Sequence, residues 1–312
     1  MTMPRPFAQI DVFTAIAGYG NPVAVVLDGA GLDDAAMQRF ARWTNLSETT
    51  FVLPPTDEAA DYRLRIFTPG GELPFAGHPT LGSCFAWLAA GGRPKSADAI
   101  VQQCAQGLIP IRREAERLAF AAPPSRRSDP PPALLAQIVQ ALGLKPAQVL
   151  RAQSLDNGPV WLTLQLDSAD TVLALEPDHV QLEKIKQKVG VVGVHPAREA
   201  TELISRSSRE ARAFAAAAQR AEAPLIEVRA FAAPIGVNED PVTGSLNASL
   251  AQWLIEAGEL PAAYVAAQGT ALGRAGRVHV ARDGEGQDAS TSSGQVWVGG
   301  DCVQVIQGEV ML

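Results

Sequence analysis

The sequence predicts an α+β protein in two similar halves, each a curved, mostly antiparallel or mixed sheet wrapped around one apolar helix. Three observations lead there. Residues 80–90, TLGSCFAWLAA, are almost wholly apolar or small, and a helix of that kind is buried on all sides, so sheet must surround it. The strand-like runs are short, and no strand is followed by a regular series of crossover helices, which disfavours a doubly wound parallel sheet. Finally, residues 65–88, RIFTPGGELPFAGHPTLGSCFAWL, have a weaker echo at 229–254, RAFAAPIGVNEDPVTGSLNASLAQWL.

In order, residues 7–13 and 22–27 read as strands joined by the Gly-rich turn Ala17-Gly-Tyr-Gly-Asn-Pro22. That turn starts like a dinucleotide fingerprint, but Val23 replaces the third Gly and Pro22 interrupts the helix start. Residues 33–44 place Met37, Phe40, Ala41 and Trp43 at helical spacing behind an acidic first turn. The polar segment Asn45-Leu-Ser-Glu-Thr-Thr50 then leads to an apolar strand at 51–53. A strand at 62–68 and the buried helix at 80–90 follow, with short strands at 99–104, 107–112 and 117–121 placed to wrap that helix.

Residues 122–132, APPSRRSDPPP, are the clearest boundary, because prolines flank a charged patch that cannot form core. The expected domains are 1–122 and 133–312, with the last strand able to cross back to the first. In the second, helices are expected at 134–142, 178–188 and 244–256, with strands at 160–166, 190–194 and 225–231. Residues 205–223 read as a loop passing into a short helix. Strands are expected again at 269–276, 277–281, 295–298 and 302–306, with a polar low-complexity loop at 283–293.

With 312 residues, 47% hydrophobic and 19% charged, the chain can bury a sizeable core. A net charge of -7 with no basic run argues against nucleic acid or an anionic membrane as the main partner. Cys84, Cys104 and Cys302 are widely separated and odd in number, which fits a reducing compartment. There is no signal-like N-terminus and no apolar run long enough to span a bilayer, so a cytoplasmic location is expected.

In both halves of the echo an Arg-X-Phe strand leads through a Gly/Pro-rich loop to an apolar helix, and x-P-x-x-G-S recurs in His78-Pro-Thr-Leu-Gly-Ser83 and Asp240-Pro-Val-Thr-Gly-Ser245. Gly and Ser at a helix start leave backbone N–H groups free to hold an anion, so two such starts suggest one shared site. Each also reads as an ordinary helix N-terminus. Glu48 lies between an amphipathic helix and a buried-looking strand, where withdrawal from water would poise a carboxyl to exchange protons near neutrality; a solvated loop glutamate is the plainer reading. Gly77 before His78 permits close approach of a ligand, and an imidazole there can donate a hydrogen bond or proton. Asp240 holds the matching place and reads equally well as an N-cap. Glu48, His78 and Asp240 would supply acid, base and orienter if the halves face each other. No nucleophile elbow surrounds Ser245, no H-x-x-x-H spacing suggests zinc, and no P-loop is present. A cofactor-free and metal-free proton-transfer enzyme is the simplest candidate.

At Asn21-Pro-Val-Ala-Val25, Asn45-Leu-Ser-Glu-Thr-Thr-Phe51, Arg65-Ile-Phe67, Phe75-Ala-Gly-His-Pro-Thr-Leu-Gly82, Glu239-Asp-Pro-Val-Thr-Gly-Ser245, Gln268-Gly269 and Gly273-Arg274, the chain resembles the phenazine-biosynthesis PhzF-like isomerase family. The resemblance implies a diaminopimelate-epimerase-like fold with its active site between two domains, cofactor-free isomerisation of a small carboxylate-bearing substrate, and a homodimer. It also implies Glu48 as the proton carrier, His78 and Asp240 as its partners, and Gly77, Gly244 and Ser245 as holders of the substrate carboxylate. Ala76 and Thr243 stand where related epimerases carry a thiol pair, which disfavours two-thiol racemisation. The competing expectations are a racemase or epimerase acting at one carbon and a non-catalytic binding protein with the same cleft.

Overall fold

The computed structural model describes residues 2–97, 99–114, 117–196, 223–284 and 294–312. The first half runs β1 (Pro4–Val12), β2 (Asn21–Val26), α1 (Asp34–Thr44), β3 (Glu48–Leu53), β4 (Tyr62–Thr68), β5 (Gly71–Leu73), α2 (Gly77–Ala89), β6 (Ile100–Cys104), β7 (Gly107–Glu114) and β8 (Arg117–Ala121). The second half opens with β9 (Arg126–Ser128), α3 (Pro132–Ala141), β10 (Val149–Asp156), β11 (Val160–Leu166), α4 (Ala169–Leu173), α5 (His179–Ile185) and β12 (Lys188–Val194). It continues through β13 (Ile226–Ala232), β14 (Val237–Asp240), α6 (Gly244–Glu256), β15 (Ala263–Gln268), β16 (Gly276–Arg282), β17 (Val296–Gly300) and β18 (Cys302–Met311).

Strand pairing shows one pattern used twice. In the first half β1 and β2 are antiparallel, β2 and β3 parallel, β3 and β4 antiparallel, β4 and β6 parallel, and β6, β7 and β8 antiparallel in turn. The second half repeats this through β10, β11, β12, β13, β15, β16 and β17. β8 pairs with β17 and joins the two sheets. β18 crosses back to pair with β1, as β9 pairs with β10. The result is the expected mixed α+β architecture, with α2 packed on β1, β2, β3 and β8, and α6 on β10, β16 and β17.

Local chemistry explains the elements. Asp33 caps α1 by accepting from the Ala36 amide at 2.7 Å, and Met37, Phe40 and Ala41 turn inward. Trp43, expected on that apolar face, is instead 78% exposed and stacks on Phe40. Helix α2 is buried from Gly77 to Cys84 because it lies inside its sheet. In the Gly18–Gly20 turn the Asp11 carboxylate accepts from both glycine amides, at 2.7 and 3.1 Å.

Other expectations are corrected. Glu48 is not in a loop but opens β3, because parallel pairing with β2 extends the strand three residues upstream. Residues 269–276 are not a strand: Gly269 and Gly273 adopt positive φ around a 3-10 turn, and the strand is β15 just before it. The 122–132 segment is less free than its prolines suggest, since β9 pairs with β10 and the Pro123 carbonyl accepts from Gln252. β10 itself was not anticipated, its alternation being masked by Arg151, Gln153 and Asp156. The helix expected within 205–223 and most of the polar loop at 283–293 lie outside the described residues.

Candidate active site

The two halves meet at the N-termini of α2 and α6. A Cβ built on Gly77 would stand 3.2 Å from the Gly244 Cα and 2.7 Å from the Phe120 ring, so only glycine lets the helix mouths touch. Neither mouth has a side-chain cap or an acidic residue in its first turn, whereas α1, α4 and α5 are capped by Asp33, Ser168 and Asp178. Two uncapped N-termini pointing together leave orphan N–H donors and two positive dipole ends in one place, a setting that favours an anion.

Around them the structure gathers Glu48, His78 and Asp240. The Glu48 Oε2 lies 3.4 Å from His78 Nε2, with side-chain exposures of 15% and 5%. This contact is not an ion pair. Burial pushes the His78 pKa down to about 3, and burial, with the Asp240 charge adding to it, pushes Glu48 up to about 8. Burial thus favours the neutral imidazole and the protonated form of the carboxyl. Both facing atoms are buried and, among the described residues, have no hydrogen-bond partner. Asp240 rises to about 6, again through burial, although Thr243 and Asn21 bonds oppose the rise.

Asn21, at the head of β2, is the hub of this network. Its Nδ2 donates to Asp240 Oδ1 and to the Val242 carbonyl, both at 2.9 Å, and lies 3.4 Å from His78 Nδ1. Two acceptors on one side fix which way the carboxamide points. Its Oδ1 accepts from Ser47 at 3.4 Å. Thr243 donates to Asp240 Oδ2 at 2.6 Å, and Gln268 holds Thr243 through its amide at 3.0 Å and its hydroxyl at 2.9 Å. Ser245, on the first turn of α6, accepts from Trp161 Nε1 at 3.2 Å, and its carbonyl accepts from Asn157 at 2.8 Å. All six residues singled out from sequence therefore lie in one region.

The register between the halves differs from the sequence echo. Aligned by pairing, Arg65 and Phe67 match Arg229 and Phe231, Glu72 matches Glu239, Pro74 matches Pro241, and Gly77 matches Gly244. The repeated signature is thus E-x-P-x-x-G, not the x-P-x-x-G-S motif at 78–83. Pro79, Gly82 and Ser83 lie inside α2, where a Cβ at Gly82 would strike Val23 and Ser83 bonds Thr50 at 2.8 Å. His78 is the counterpart of Ser245, and Asp240 that of Leu73.

Sequence reasoning missed Asn21, Gln268 and Lys188 as site residues, although the first two fall within family-like motifs. The charge of Lys188 acts on both Glu48 and Asp240. A surface cavity of about 590 Å³ beside Leu142, Asp170 and Glu176 lies away from these residues. Among the described residues no group of three His, Cys, Asp or Glu side chains is placed to hold a metal ion, and no helix is long and apolar enough to cross a membrane.

The family model described as phenazine biosynthesis-like protein, PhzC-PhzF, matches residues 10–308. The chain belongs to the PhzC/PhzF family. It is 36% identical to antisense-enhancing sequence 1 of Schizosaccharomyces pombe, covering 97% of each chain. It is 32% identical to trans-2,3-dihydro-3-hydroxyanthranilate isomerase of Pseudomonas aeruginosa, covering 91% of this chain and 92% of that one. Among solved structures, the Bacillus anthracis PhzF-family phenazine biosynthesis protein superposes with a TM-score of 0.79 at 22% identity, over 99% of this chain and 100% of that one. The PhzC/PhzF chain is an isomerase of epimerase-like fold.

Proposed function

We propose that this PhzC/PhzF protein is a cofactor-free isomerase that takes a proton from one carbon of a small carboxylate-bearing substrate and returns it to another, with Glu48 as the general acid/base. The observation that carries the reading is the Glu48 carboxyl, raised to about 8 by burial and by Asp240, opposite a neutral imidazole and beside two uncapped helix mouths. The ionised fraction of a carboxyl so withdrawn from water is a stronger base than a solvated carboxylate, and once it has taken the substrate proton it is poised to give that proton back near neutrality. Neutral His78 is suited to hydrogen bonding rather than to acting as an imidazolium acid. The N–H groups at Gly77, Gly244 and Ser245 would hold the substrate carboxylate and spread the negative charge that builds as the C–H bond breaks.

Closure over the substrate would move the first lobe, which carries β18 with it through pairing to β1, against the second, with the 122–132 segment and the β8–β17 pairing as the hinge region. A homodimer fits β18, whose outer edge pairs with no strand among the described residues and exposes Val305 and Ile306. Three free cysteines fit a cytoplasmic setting.

The test uses trans-2,3-dihydro-3-hydroxyanthranilate, the compound in the name of the Pseudomonas aeruginosa relative, in deuterated water. Wild-type protein is expected to place deuterium at a carbon other than the one that lost its proton; Glu48→Gln is expected to bind the compound but incorporate none. Undiminished incorporation by the variant removes Glu48 from the role, and deuterium at the original carbon replaces isomerisation with epimerisation.

A further inference from the structure

The doubled pairing pattern gives every residue lining the cleft a counterpart, and the counterpart of Glu48 is Lys188. Glu48 opens β3 opposite Val23 of β2, and Lys188 opens β12 opposite Trp161 of β11. The residues that follow, Thr49 and Val189, face Phe67 and Phe231 of the two Arg-X-Phe strands. The symmetry that sets α2 and α6 mouth to mouth thus turns both residues towards the same cleft.

Lys188 is held there by its neighbours. Its Nζ lies 5.6 Å from the ring centre of Trp161, and the same indole donates to Ser245 Oγ on the first turn of α6. The amine is close enough to Glu48 and Asp240 for each to raise its pKa, yet burial outweighs them and lowers it. Among the described residues it makes no ion pair with either carboxyl. A half-buried ammonium beside an uncapped helix mouth, not saturated by a carboxylate of its own, is a group arranged to receive an anion from outside.

We propose that Lys188 is a substrate-binding, specificity-determining residue whose ammonium, set beside the α6 mouth by Trp161, completes the seat for the substrate carboxylate. This rests on reading the cleft as a carboxylate site. The second half then contributes a full positive charge where the first contributes the proton carrier, and the site selects acids over their neutral analogues.

The experiment measures binding, without turnover, of 3-hydroxyanthranilate and of its neutral carboxamide by titration calorimetry on wild type, Lys188→Met and Lys188→Arg. Lys188→Met is expected to weaken the acid about 10- to 100-fold, the range of one charge-assisted contact, and to change the carboxamide less than about threefold. Lys188→Arg is expected to keep most of the affinity for the acid. Equal loss for both ligands, or no loss for the acid, overturns the proposal while leaving the carboxylate site standing. If wild type binds acid and amide equally, the carboxylate site itself falls and Lys188 with it.

Discussion

The first and second halves share strands, register and helix mouths, and part company at the positions that face the cleft. Glu48 is matched by Lys188, Leu73 by Asp240, Ala76 by Thr243 and His78 by Ser245. The bidentate pair behind each mouth is kept, Arg65 with Glu72 and Arg229 with Glu239. In the proposed function the shared parts, two uncapped helix mouths, are those that present backbone donors. The parts present once are the proposed proton carrier, Glu48, and the proposed cation, Lys188.

That comparison can be tested by treating matched residues alike. The largest expected effect is at Arg229, whose pair with Glu239 has side-chain exposures of only 5% and 6%. Arg229→Met strands a buried carboxylate and the Val172 and Leu175 carbonyls that the guanidinium also serves. A loss of about 3–5 kcal/mol in urea unfolding is expected. A loss below about 1 kcal/mol would mean that Glu239 finds another partner.

Next comes Gly77→Ala, whose methyl would press on Phe120 and on Gly244. It is expected to cost about 1–3 kcal/mol of stability and to reduce turnover by holding the mouths apart. Unchanged stability and turnover would argue against close contact between the halves.

The Glu48 carboxyl gives a pH signature of similar size. Its folded pKa, about 8, exceeds its ordinary value of 4.5, so the native state binds the extra proton between those values. Stability from this group is full below the unfolded pKa and is lost as pH rises through the folded one. Asp240, raised to about 6, and His78, lowered to about 3 from 6.5, act below this range. Between pH 6.5 and 8 the wild type is therefore expected to lose about 2 kcal/mol, and Glu48→Gln to show a flat profile there. A parallel decline in both proteins would assign the slope elsewhere.

The smallest effect is expected at Arg65→Met. Arg65 has the same bidentate geometry as Arg229, but its partners Glu72 and Asp34 are 37% and 84% exposed. Under about 1 kcal/mol is expected. A cost equal to that of Arg229→Met would show that burial is not what separates the two pairs.

Much of this was legible in the chain before its fold was known. Apolar periodicity located α1, α2 and α6, and the Arg-X-Phe echo announced two halves. The motif register was misread because Pro79, Gly82 and Ser83 mimic a helix entrance, whereas Gly82 and Ser83 meet Val23 and Thr50 inside the sheet. Lys188 was hidden in the charged run Lys184-Ile-Lys-Gln-Lys188, read as the end of a helix. Only the parallel pairing with Trp161 distinguishes it from its neighbours. Asn21 posed the opposite problem: its acceptors, Asp240 and Val242, are more than two hundred residues away along the chain, a distance no local pattern spans.

The return of β18 to β1 sets the order in which the molecule can be finished. Pro4 lies opposite Met311 and Val12 opposite Cys302, so β1 waits for a neighbour made about three hundred residues later. Contacts of such separation slow folding. On a ribosome, the first lobe would emerge with one flank open, and the second would have to be synthesised before that flank is sealed.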